Sequence, residues 1–210
     1  MPGERRRMTR AESQQRTREE VLDAAEELFL EFGFHGTTVA KIAAAAGRTQ
    51  GAIYANFSSK ENLCADVLLR CYMRTFAELI AKMAESSGPL EAQMGSLAVW
   101  FKRLVSEESL VALAAEYALA IHKNPEQLAV SGGHIDMGRN MLGAMLASML
   151  PFGVDQASRD VAVNAILATG TGLALGRTLG VIDDDQLVDL LIHTVRLWAA
   201  DLGRGTAVQG

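Results

Sequence analysis

The stretch TTVAKIAAAAGRTQGAIYANFSSKENL, residues 37–63, limits what this chain can fold into more than any other. Thr38, Thr49 and Ser59 each stand at the head of a helix-compatible run, where a hydroxyl can accept a hydrogen bond from the first turn. Gly47 permits a tight turn between the first two runs. The alanines from Ala43 to Ala46 carry so little side chain that two short helices can approach closely. Val39, Ile42 and Ala43 give the first short helix an inward side, and Ile53 and Phe57 do the same for the second. Arg48, Thr49, Gln50, Gly51, Tyr54 and Asn56 are left pointing outward. Helix, short helix, glycine turn, short helix is the helix-turn-helix arrangement, in which the second short helix reads a major groove.

Charge supports that reading once its distribution is considered. The net charge of −5 argues against a nucleic-acid partner for the chain as a whole. Between Met1 and Arg18, however, six arginines (Arg5, Arg6, Arg7, Arg10, Arg16, Arg18) face only Glu4 and Glu12, a local balance of +4. From Gly33 to Lys60 there are Lys41, Arg48 and Lys60 and no acid, a balance of +3. Phosphate attraction decays within about 8–10 Å at physiological salt, so local charge matters more than the total. The arginine run taken alone reads equally well as a solvated tail.

The flanking sequence is helical in pattern. TREEVLDAAEELFLEF, residues 17–32, places Val21, Ala25, Leu28, Phe29 and Phe32 on one face, and Gly33 and Gly36 end it. After Ser59 a long apolar stripe runs from Leu63 through Val67, Leu68, Cys71, Tyr72, Phe76, Leu79 and Ile80 to Met83, and breaks near residues 86–90. Composition agrees: the chain is rich in Ala, Leu, Met, Glu and Arg, has four prolines in 210 residues, and lacks alternating β-branched runs. The fold expected is all-α. No apolar stretch is long enough for a membrane span, and the basic N-terminus lacks the apolar core of a signal peptide. Cys64 and Cys71 lie two helical turns apart, too far for a mutual disulfide in an intact helix, and read as buried thiols in a reducing cytoplasm.

GFHGTTVAKIAAAAGRTQGAIYANFSSKENL resembles the DNA-binding signature of the TetR/AcrR family of bacterial transcriptional regulators. The capping, glycine, aromatic and lysine positions all agree over about residues 17–70. Two positions depart from the pattern: Arg48 stands where an apolar residue is usual, and Asn56 where His or Tyr is common. The resemblance implies a flexible basic arm (1–16), a three-helix DNA-binding domain (17–60) and a larger helical ligand-binding and dimerisation domain (61–205). It also implies a cytoplasmic homodimer on double-stranded operator DNA, released by a small molecule, with no resident cofactor. Thr38, Lys41, Arg48, Thr49, Gln50, Gly51, Tyr54, Asn56 and Lys60 are the candidate DNA contacts. Gln can pair with adenine, while Thr and Tyr hydroxyls and Lys reach phosphates. The alternative is a DNA-binding regulator without a small-molecule effector, or an activator, controlled by a protein partner.

The remaining sequence is less specific. Helices are expected over GPLEAQMGSLAVWFKRLV, over ESLVALAAEYALAI, from a glycine break at SGGHIDMGRNMLGAMLASML, and in two last segments at about 155–180 and 184–203. Met137, Met141, Met145 and Met149 recur at every fourth position. Met73, Phe76, Ile80, Trp100, Phe101, Glu116, Tyr117, Met141 and Met145 are candidates to line an adaptable apolar ligand cavity. Glu116 reads either as a paired carboxylate between helices or as a polar group of that cavity. Gly172, Gly176, Leu187, Leu191, Val195 and Trp198 are candidates for the dimer contact. The long helix starting at Lys60 is expected to be the one segment joining the two domains. Gly170, Gly172 and Gly176 lack the strand a dinucleotide fingerprint requires. His122, His134 and His193 are scattered without metal-ligand spacing. No nucleophile motif frames any Ser, His and Asp, so an enzyme is not expected.

Overall fold

The computed structural model describes residues 9–85, 90–149 and 154–207, and among them there is no strand. Among the described residues nine helices follow one another: α1 (Arg10–Gly36), α2 (Val39–Ala45), α3 (Gln50–Tyr54), α4 (Lys60–Glu85), α5 (Leu90–Ser106), α6 (Glu108–Ile121), α7 (Pro125–Met149), α8 (Gln156–Thr178) and α9 (Asp184–Ala207). Arg5 to Arg7, most of the break expected at 86–90 and the Met149 side chain lie outside the described residues.

The caps explain most of the boundaries. Thr38 Oγ1 accepts from Lys41 N at 3.3 Å, Thr49 Oγ1 from Ala52 N at 3.1 Å, and Ser59 Oγ from Asn62 N at 3.1 Å. Each satisfies a donor that would otherwise be orphaned in the first turn. Two boundaries differ from the sequence reading. Residues 10–16, expected in a flexible arm, are the first turns of α1. Thr9 and Glu12 form a reciprocal capping box there, with Thr9 N donating to Glu12 Oε2 at 2.7 Å. The break expected at Gly132 and Gly133 is also not a break. Asn124 Oδ1 caps the amides of Glu126 and Gln127, and Pro125 takes the first helical position, where its missing N–H costs nothing. The α7 helix then runs through both glycines.

Two apolar clusters hold the helices together. The first joins α1, α2, α3, the N-terminal half of α4, and α6, around Phe29, Ile42, Ile53, Leu63, Val67, Leu113 and Tyr117. The second joins the C-terminal half of α4 to α5, α7, α8 and α9, around Leu79, Phe101, Val105, Val163, Leu187 and Val195. The long helix α4 therefore belongs to both. A second connection runs through α6, which is part of the first cluster, packs along α1 and also touches α8. The expectation that α4 alone joins the two halves is corrected on this point. Ion pairs reinforce the junctions: Arg70 reaches Asp23 at 2.6 Å and Arg74 reaches Glu26 at 2.8 Å, tying α4 to α1. Arg177 of α8 reaches Glu108 of α6 at 2.9 Å and Asp184 of α9 at 2.6 Å.

Phe32, expected on the inward face of α1, is 47% exposed. The helix kinks one residue later, at Gly33, and the apolar role passes to Phe34, which is 3% exposed and stacks on Phe29 with ring centroids 6.1 Å apart. Cys64 and Cys71 are free and buried. Burial pushes the Cys71 thiol up to about 11 and the Cys64 thiol further in the same direction, so neither is a thiolate nucleophile near neutrality.

Candidate nucleic-acid interface

The α2–α3 unit is built so that one side is core and the other is free. Ile42, Ala43, Ile53 and Phe57 are buried in the first cluster. Gly47, at φ 61°, makes the turn between the two helices in a conformation that other residues rarely adopt. Thr38, Lys41, Arg48, Thr49, Gln50, Gly51 and Tyr54 are all exposed. Tyr54 presents 53% of its surface to solvent, a large fraction for an aromatic residue unless something covers it. Lys41 Nζ donates to Gly36 O at 2.9 Å and lies 5.3 Å from the Phe32 ring centroid, so it is held at the edge of the same face.

Two of the nine candidates are turned inward. Asn56 is half-buried, and its side-chain amide donates to Ala52 O at 2.8 Å, closing the last turn of α3. Lys60 Nζ donates to Phe34 O at 2.9 Å and Thr37 O at 3.2 Å, and sits 4.0 Å from the Phe34 ring centroid. It satisfies carbonyls left without an intrahelical partner where α1 ends. Arg18, by contrast, was not among the candidates. It bonds Asp66 at 2.6 Å, stacks over Phe57 at 4.4 Å and reaches Asn56 O at 3.4 Å, so it locks α1 to the α3–α4 turn. Its partners lie 38 and 48 residues away, which no local pattern signals.

The kink is gripped from the other side as well. Gly33 has φ 71° and ψ 177°, and Glu116 of α6 lies directly over it, its carboxylate accepting from His35 N at 3.2 Å. Of the two readings left open for Glu116, this contact fits the inter-helix one. Its neighbour Tyr117 packs edge-on against Phe34 at 5.9 Å and hydrogen-bonds Ser131 at 2.8 Å, so it too belongs to the first cluster. Lys60 and Glu116 together hold residues 33–37, the segment that leads into α2. We expect Lys60→Met to lower the urea midpoint of the free protein, at a cost of about 1–3 kcal/mol for the two carbonyls left without their donor. A variant with unchanged stability and weakened DNA binding alone would contradict this structural role.

Residues 21–67 match the family model for bacterial regulatory proteins of the tetR family. Those residues form a domain of that family. It is 40% identical over 79 residues to the HTH-type transcriptional repressor KstR2 of Rhodococcus jostii, covering 36% of this chain and 38% of the relative. It is 33% identical over 81 residues to the HTH-type transcriptional repressor AcnR of Corynebacterium glutamicum, covering 39% and 40%. The alignments thus span about two fifths of these relatives' length. The fold extends further. The transcriptional regulator FadR of Bacillus subtilis, solved with stearoyl-CoA, superposes with a TM-score of 0.62 at 21% identity, over 86% of this chain and 97% of that one.

Outside the tetR-family domain the structure rearranges the expected sites. Phe76 and Trp100 lie against each other with centroids 5.2 Å apart, and Trp100 Nε1 donates to Thr75 O at 2.7 Å. Phe101 is buried in the second cluster and Met145 packs against it. Met73 and Met141 are half-buried, while Ile80 is 52% exposed. Surface hollows open elsewhere among the described residues. One of about 420 Å³ is lined by Leu30 and residues 106–110, another of about 330 Å³ by Ala98, Val99, Lys102, Asp185, Val188 and Asp189. Neither contains any of the nine candidate residues.

The dimer candidates need a change of face. Leu187, Leu191 and Val195 are at most 3% exposed and form the protein's own core, so they are not available to a partner. Trp198 packs on the same cluster, and a Cβ at Gly176 would meet Ile182 at 3.0 Å. Gly172 alone of the six looks outward, with nothing within 4 Å of an added Cβ. At helical spacing it shares a face of α8 with the exposed Val161 and Leu175, and on α9 Leu190 and Leu197 are exposed as well. Among the described residues, no helix is long and apolar enough to cross a membrane and no cluster of three metal-ligating side chains occurs.

Proposed function

We propose that this protein is a homodimeric transcriptional repressor that binds operator DNA through α3 and is released by a small, mostly apolar ligand. The observation that carries this reading is the α3 face. Thr49, Gln50, Gly51 and Tyr54 are exposed on a five-residue helix whose opposite side, Ile53, is 1% exposed. The names of the relatives, both repressors, support the mode of action. The exposed apolar rows on α8 and α9 support the dimer. To meet successive major grooves, such a dimer must hold its two α3 helices about one helical turn of DNA apart, roughly 34–36 Å. The FadR complex supports an acyl chain as the ligand chemistry. Phe76, Trp100, Phe101 and Met145 are soft, polarizable or flat groups that can part around such a chain.

Both halves are testable. Gln50→Ala should relax base preference, with about 1–3 kcal/mol lost on the preferred operator, whereas Tyr54→Phe should weaken all sequences alike. For the ligand, stearoyl-CoA is titrated calorimetrically into free protein and into the protein–operator complex. Linkage requires that a ligand which expels DNA bind the complex more weakly by the same factor. Equal affinity in the two titrations would mean that stearoyl-CoA is no inducer.

A further inference from the structure

Arg48 is the position at which this chain departs from the family pattern, and the structure shows what the departure brings with it. The residue stands between the turn glycine and the α3 cap, its backbone amide held by Ala43 O at 2.8 Å. Its side chain reaches back to α1, where Glu20 Oε2 accepts from Arg48 Nε at 3.1 Å and also from Nη2. Glu20 Oε1 is itself held by Arg16 Nε at 2.9 Å. The carboxylate is thus pinned by two guanidinium groups, and it lies 28 residues from Arg48 in the chain, on a different helix.

The edge that Glu20 takes decides what is left. A guanidinium has five N–H donors in a rigid plane. Glu20 engages the side edge, formed by Nε and one Nη2 hydrogen. The end edge, with parallel N–H groups on Nη1 and Nη2, is not used by that bond. It is this edge that forms two hydrogen bonds to guanine O6 and N7 in a major groove. A bare arginine on a surface samples many rotamers, and holding it costs entropy at the moment of binding. An arginine already held in place by a carboxylate avoids most of that cost.

We infer that Arg48, buttressed by Glu20, reads a guanine in each operator half-site, and that Glu20 is the positioning residue for this contact. The inference rests on α3 being the DNA-reading helix. It makes Arg48 a base reader rather than a phosphate contact. It also assigns an acidic residue on a DNA-facing surface a favourable role.

The test is selection from a pool of random duplexes with the full-length protein and with Arg48→Lys, Glu20→Gln and the double variant. Circular dichroism melts confirm that each variant is folded. The parent should select a guanine at one position per half-site. Arg48→Lys should lose preference at that position only, by roughly 5- to 150-fold against other bases. Glu20→Gln should relax the same position, and the double variant should be no worse than Arg48→Lys. Retention of the same guanine by Arg48→Lys would overturn the assignment of Arg48. Uniformly tighter binding by Glu20→Gln with an unchanged consensus would show that Glu20 only repels phosphate, and would overturn its positioning role. If the parent itself enriches no sequence, the underlying DNA-binding reading fails, and this inference with it.

Discussion

Gly33→Ala is expected to destabilise the protein by about 2–4 kcal/mol, well beyond what a surface alanine normally does. Two costs combine. The backbone at φ 71° and ψ 177° lies in a region that is essentially restricted to glycine, at about 1–3 kcal/mol for any other residue. The added Cβ would also stand 2.6 Å from Glu116 Oε1 and 2.8 Å from Oε2, so the carboxylate must leave and give up the amide of His35. Gly47→Ala is the internal control. That glycine also has a positive φ, 61°, but nothing lies within 4 Å of its added Cβ. It should cost about 1 kcal/mol, from the backbone alone. Urea unfolding of both variants, and of Gly33→Ala combined with Glu116→Ala, separates the terms. If Gly33→Ala costs no more than Gly47→Ala, α6 does not grip the end of α1. The contact also has a functional side. Residues 33–37 lead directly into α2, so a shift of α6 would be felt at α3 without passing along α4.

Leu197→Arg should convert the dimer to a monomer at micromolar concentration and lower operator affinity by about 100-fold or more. Leu197 is 56% exposed on α9, and a charge there would be desolvated against its own copy in the proposed two-fold contact. The affinity loss follows from multivalency. In a dimer the second half-site is bound at an effective concentration in the millimolar range, and a monomer loses that advantage entirely. Leu187→Ala provides the contrast. Leu187 is fully buried within the chain, so its truncation should cost about 2–5 kcal/mol of stability while leaving the folded protein dimeric. Light scattering and denaturant melts on the two variants distinguish the faces. A dimeric Leu197→Arg with full operator affinity would place the interface elsewhere.

The DNA-facing half was legible because its signals are local. Thr38, Thr49 and Ser59 each cap the helix that follows, Gly47 makes the turn, and Ile53 and Phe57 fill the core. None of these needs a partner from far along the chain. The inward turn of Lys60 was not legible, since its acceptors Phe34 O and Thr37 O, at the end of α1, lie 26 and 23 residues away in the chain. Nor was the role of Glu116, whose partner His35 is 81 residues away. The α8 and α9 helices failed for a different reason. Both carry apolar residues on two sides, and periodicity does not say which side meets the protein's own core. Leu187, Leu191 and Val195 went to the core, while Leu190 and Leu197, on the adjacent face, stayed exposed. In α7 the paired glycines mimic a break, but the Asn124–Pro125 start and packing on α4 and α8 outweigh about 1 kcal/mol of lost propensity per glycine.

The central claim is that the α3 face recognises a particular DNA sequence. Fluorescence anisotropy at about 150 mM salt, with the purified protein and a labelled duplex taken from selection, tests it against a scrambled duplex of the same composition. Sequence-specific regulators typically bind their sites about 10³-fold or more tightly than random DNA under such conditions. A ratio of that order, lowered roughly 5- to 150-fold by Gln50→Ala, is the result this account predicts. Equal affinity for the two duplexes, with a salt dependence as steep for one as for the other, would contradict it.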